Sequence, residues 1–147
     1  MEKTILTSDI LNRPTDWQTY YSQCEKIKSN LVIYSKDLRF LQQLLDRYFD
    51  EMVKNENLDE MRESLMRFQD LCYNCDRLKK TVKDQQSHLL DAIKGASAYD
   101  PETLIKEQSG IENRNSTLMK EFNMVKKEMF TIADHVIKTH KDNENLS

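Results

Sequence analysis

A chain of 147 residues, 38% hydrophobic and 32% charged, is long enough for one domain with a buried core and does not call for two. Its net charge of -3 is spread over interspersed acids and bases, which leaves no extended basic face for a phosphate backbone and argues against nucleic-acid binding. There are only two glycines and two prolines, where roughly ten and seven are usual. With so few breakers and no alternation of period two, the sequence predicts an all-α fold of a few long helices.

No apolar run reaches the roughly eighteen residues of a membrane span, and residues 1–6 lack the apolar core of a secretory signal. A cytoplasmic chain is expected, for which a membrane partner is disfavoured. Three cysteines, an odd number, do not make a secreted disulfide framework.

Residues 1–15 form a short arm in which Ile5, Leu6, Ile10 and Leu11 build one amphipathic turn, ended by Pro14. Thr15 and Gln18 read as a capping box. The first helix follows over about 16–53 and organises the rest: Trp17, Tyr20, Cys24, Ile27, Leu31, Tyr34, Leu38, Leu41, Leu45, Tyr48 and Met52 keep the three-four alternation of a heptad pattern. Such a rod, roughly 55 Å at ~1.5 Å per residue, needs partners of similar length along its stripe. A turn over 54–57 precedes Asn57 and Glu60, which mark the next helix start.

The second helix, about 58–94, carries Met61, Leu65, Phe68, Leu71 or Cys72, Cys75, Leu78, Val82, Gln85 or Gln86, and Leu89, with a phase shift expected between Phe68 and Leu78. Gly95 supplies its stop, and Asp100 with Pro101 the next start. The third helix, about 101–140, carries Leu104, Gln108, Ile111, Asn115, Leu118, Phe122, Val125, Met129, Ile132 and Val136, with a kink expected at Gly110. A disordered tail over 141–147 is expected after it.

Short links make sequential helices antiparallel neighbours. The prediction is an elongated antiparallel three-helix bundle, up-down-up, with coiled-coil-like packing, able to dimerise into a larger bundle. Counting from the turns sets residue i of the first helix level with roughly 110 minus i on the second, and residue j of the second with roughly 195 minus j on the third. One half is then apolar, around Leu38, Cys72 and Phe122. The other half is polar inside: Leu31 meets Asn115 and Lys79 or Leu78, while Cys24 meets Gln86 and Gln108. Lys79, Gln86, Gln108 and Asn115 are therefore the polar-core set. They serve either to fix register or to form a wet half that opens for a partner.

Two apolar stripes lie off the seam: Ile33, Phe40 and Leu44 on the first helix, and Met119, Phe130, Ala133 and Ile137 on the third. They serve either a wider core or a docking face for self-association or a protein partner.

Sites of chemistry do not emerge. Cys72 and Cys75 have the spacing of a redox pair but fall in mid-helix rather than at a helix N-terminus, so they read as small core residues. His135 and His140 do not share a helical face, and His88 stands alone. No glycine-rich loop, nucleophile elbow or pair of inward carboxylates is found. No enzyme, metal or cofactor is therefore expected. The leading expectation is a non-enzymatic interaction module, a scaffold or assembly subunit that docks helix faces, with a homodimer as one form. The alternatives are a small-ligand or metal-binding bundle using the polar half, and reversible binding to a membrane surface.

Overall fold

The computed structural model describes residues 14–55, 58–96 and 99–146. Three helices account for nearly all of them: α1, Pro14–Asn55; α2, Leu58–Ile93; and α3, Pro101–Leu146. They form an all-α three-helix bundle, and no strand occurs among the described residues. No helix there is long and apolar enough to cross a membrane.

Most helix ends follow from local chemistry. Pro14 is the first residue of α1, a position where a missing N–H costs nothing. Thr15 thus lies inside the first turn rather than capping it, and the proposed arm, apart from its last residues, lies outside the described residues. Helix α2 closes on a Schellman motif. Gly95 takes φ +76°, its amide bonds to the Ala92 carbonyl at 3.1 Å, and the Ala96 amide bonds to the Asp91 carbonyl at 2.9 Å. Only glycine enters that left-handed conformation freely. Asp100 then caps α3, its Oδ1 accepting the Thr103 amide at 2.8 Å, with Pro101 in the first turn. The bond from the Thr103 amide holds the Asp100 carboxyl below the usual range.

Helix α3 departs from its expected course in two ways. Helix α3 continues to Leu146, where a disordered tail was expected from residue 141. The stretch has no glycine or proline to stop a helix. The expected break at Gly110 is absent. Instead the backbone of α1 leaves helical values at Tyr48, with φ -112° and ψ 16°. Nothing lies within 4 Å of the position a Cβ would occupy on Gly110. Gly110→Ala is therefore expected to stabilise the chain by about 1 kcal/mol through helix propensity, read as a higher urea midpoint with unchanged slope.

The chain forms two compact units, Met1–Val32 with Asp76–Thr117 and Ile33–Cys75 with Leu118–Ser147. Each takes a stretch of all three helices. The first buries Trp17, Cys24, Ile27 and Leu31 with Leu78, Val82, Leu89, Leu104 and Ile111. The second buries Leu38, Leu41 and Leu45 with Met61, Phe68, Leu71, Cys75, Leu118, Phe122, Val125, Met129, Ala133 and Val136. Each large apolar side chain so placed contributes about 1.5 to 3 kcal/mol.

From Trp17 to Tyr48 the α1 seam follows the expected residues, with Tyr20, Tyr34 and Tyr48 half-buried within it, while the side chain of Met52 lies outside the described ones. On α2 the expected phase shift does not occur. Met61, Ser64, Phe68, Leu71, Cys75, Leu78, Val82, Gln85 and Leu89 are all buried at alternating spacings of three and four. Ser64 holds the place assigned to Leu65, because that spacing outranks the hydrophobicity of one residue. On α3, Ala133 is buried where Ile132 was expected, and Ile132 is half-buried. A helix of 3.6 residues per turn drifts against a repeat of 3.5, which brings the neighbouring position inward.

Candidate functional site

Polar groups gather inside the first unit. Gln85, Gln86 and Gln108 are buried there, the second of them toward Glu25, whose Oε1 accepts the Gln86 amide at 2.6 Å. Gln108 joins the three helices. Its Oε1 accepts from Gln85 Nε2 at 3.3 Å and from the Cys24 thiol at 3.4 Å, and its Nε2 donates to the Tyr20 carbonyl at 3.2 Å and to Gln23 Oε1 at 3.1 Å. Gln85 Nε2 also donates to the Leu104 carbonyl at 2.9 Å. The counted layer of Cys24, Gln86 and Gln108 is thus largely realised, since Cys24 bonds Gln108 and Gln86 bonds the residue after Cys24.

Two acceptors in this unit are buried with no hydrogen-bond partner: Gln85 Oε1 and Asn115 Oδ1. Asn115 and Lys79, both in the anticipated polar set, are half-buried. Gln85 was missed as a site residue because the seam allowed either it or Gln86; both are inside. Gln85 lines a cleft of about 280 Å³ together with Thr81, Asp84, His88, Tyr99 and Glu107. The rings of His88 and Tyr99 lie 4.0 Å apart there, tilted by 34°.

The second unit carries the two side stripes. Ile33, Phe40, Met119 and Phe130 are exposed, Leu44 and Ile137 are half-buried, and Ala133 belongs to the core. The Phe40 and Phe130 ring centroids are 6.3 Å apart, while the two side chains remain 51% and 40% exposed. On the inner side Tyr34 packs on Phe122 at 4.4 Å. Counting had set Phe122 level with Leu38, one turn away. Between the two aromatic contacts, Lys126 Nζ donates to Asp37 Oδ2 at 3.0 Å, with both side chains more than a third exposed. Contacts 34–122, 37–126 and 40–130 advance together along both helices, so the stripes meet in one face.

A second cluster in this unit has no signature in the sequence pattern. Ser64 and Arg67 both bond Glu128, and the Arg67 Nε contact measures 3.4 Å. Burial raises the Glu128 pKa, but the bonds from Arg67 and Ser64 outweigh it and hold the carboxyl below its usual range. The cluster ties α2 to α3 through this ion-paired carboxylate.

All three cysteines are thiols. Burial pushes Cys24 up to about 11, against the lowering effect of its bond to Gln108. Cys75 is buried beside Ser35, 3.6 Å between Sγ and Oγ, and Cys72 is half-buried. A thiol that is sealed and held protonated is a poor nucleophile. A thiol reagent at neutral pH is therefore expected to label Cys72 first and Cys24 only on unfolding, as mass spectrometry of timed samples would show. Among the described residues, no group of three His, Cys, Asp or Glu side chains could hold a metal ion.

No family model, curated protein or solved structure matches the chain.

Proposed function

We propose that the chain is a non-enzymatic helical assembly module of the cytoplasm that pairs with a second copy of itself through the α1–α3 face of the second unit. The observation that carries this reading is the Phe40–Phe130 contact. Two aromatic rings touch each other yet keep about half of their surfaces in water, a placement that costs free energy unless something covers them. Ile33 and Met119 extend the apolar area.

The same face supports a second copy as the occupant. Asp37 and Lys126 stand side by side on it with opposite charge. In a two-fold arrangement each can meet its counterpart on the other copy while the aromatic rings pack across the axis, which is the self-complementarity that an isologous interface requires. Aromatic anchors surrounded by a polar rim are the usual energetic centre of such contacts.

Phe40→Glu combined with Phe130→Glu tests the reading. Both positions are exposed, so helicity by circular dichroism should be unchanged. Native mass spectrometry should show the dimer weakened by about tenfold or more. An unchanged dimer population in the double variant would remove this face from the interface.

A further inference from the structure

We propose that the cleft between α2 and α3 in the first unit binds a small organic cation, an ammonium group carried on an apolar or aromatic body. The inference is independent of self-association, which uses the other unit.

Three properties of the wall select that chemistry. The first is charge. Asp84 and Glu107 both line the cleft, and no lysine or arginine is among its lining residues. Arg114 is not among them and donates from Nη1 to Thr81 Oγ1 at 3.2 Å. Anionic walls with low-dielectric backing raise the local concentration of cations.

The second is the buried acceptor. Gln85 is only 1% exposed, and both bonds of its amide nitrogen go to α3, to the Leu104 carbonyl and to Gln108. Its Oε1 is left without a hydrogen-bond partner. A buried carbonyl oxygen without a donor is costly, and an N–H donor entering from the cleft removes that cost. An anion or a pure acceptor would not.

The third is the aromatic side. His88 and Tyr99, their rings 4.0 Å apart and tilted, line the same cleft as the carboxylates, a surface suited to the body of an aryl or alkyl amine and to cation–π attraction. The volume of about 280 Å³ falls just below the roughly 300–1,000 Å³ of pockets that hold drug-sized ligands. The ligand is accordingly small.

The test is an NMR titration of the full chain with benzylamine, using benzyl alcohol as its uncharged counterpart. Saturable shifts confined to residues around His88, Tyr99 and Gln85, with the alcohol at least about tenfold weaker, are expected. Asp84→Asn with Glu107→Gln, two exposed positions whose replacement leaves the core intact, should weaken benzylamine about tenfold. Gln85→Met keeps the side-chain length and removes the acceptor; a folded Gln85→Met chain should also bind more weakly. Absence of saturable shifts, equal binding of alcohol and amine, or undiminished binding in the double carboxylate variant would each overturn the proposal. Should Gln85→Met fail to fold, the carboxylate variant still decides.

Discussion

Gln108→Ala is expected to lower the unfolding free energy by about 3 kcal/mol, more than an average substitution and unusual for a polar residue. The side chain is 2% exposed and makes four hydrogen bonds, to Gln85, Cys24, Tyr20 and Gln23, on both other helices. Truncation removes all four bonds across the buried centre and leaves a cavity among packed neighbours. Gln85 keeps its bond to Leu104, so its loss is partial. Gln108→Leu refills the volume and restores none of the bonds, and about half of the lost stability should return. Urea unfolding of the two variants separates the cavity cost from the polar cost.

Phe68→Ala should cost about 3 to 5 kcal/mol, for a different reason. Phe68 is 1% exposed and among the largest fully buried side chains, in the apolar second unit. The penalty there is lost transfer free energy plus an unfilled hole in a close-packed interior. Phe49, nearly half exposed on α1, provides the comparison: Phe49→Ala should shift the urea midpoint little. Equal effects at the two positions would mean that the second unit is not packed around Phe68.

The contrast between these two residues was legible in the sequence, because the seam is written in it. The three-four alternation from Trp17 to Leu45 sets the buried face of α1, and the polar interruptions at Gln86 and Gln108 mark where the core turns hydrophilic. Gly95 and Asp100 announce their own caps through backbone freedom and side-chain reach. What was not legible depends on long-range geometry. Ser64 is inside and Leu65 half-buried, a choice made by the continuous alternation along α2 and by Glu128 on α3, far away in sequence. The break at Tyr48 carries no glycine or proline to signal it. Gly110, which does carry the signal, sits in regular helix because one weak residue does not outweigh a helix packed on both sides of it.

The side stripes show the same division. Spacing alone put Phe40 and Phe130 off the seam, and their exposure agrees with that. Spacing could not tell that Ala133, set on the same stripe, turns inward. It also could not find the cleft, since Gln85, His88 and Tyr99 come from α2 and the turn that follows it, and Glu107 from α3. Convergence of that kind appears only when the helices are in place.

The aromatic face of the second unit either joins two copies of the chain or does not. Sedimentation equilibrium of the full chain over a wide concentration range tests it most directly. A reversible monomer–dimer equilibrium that shifts to monomer in the Phe40→Glu, Phe130→Glu chain is the predicted result. A single monomeric mass up to the highest concentration, in the unaltered chain, would contradict it.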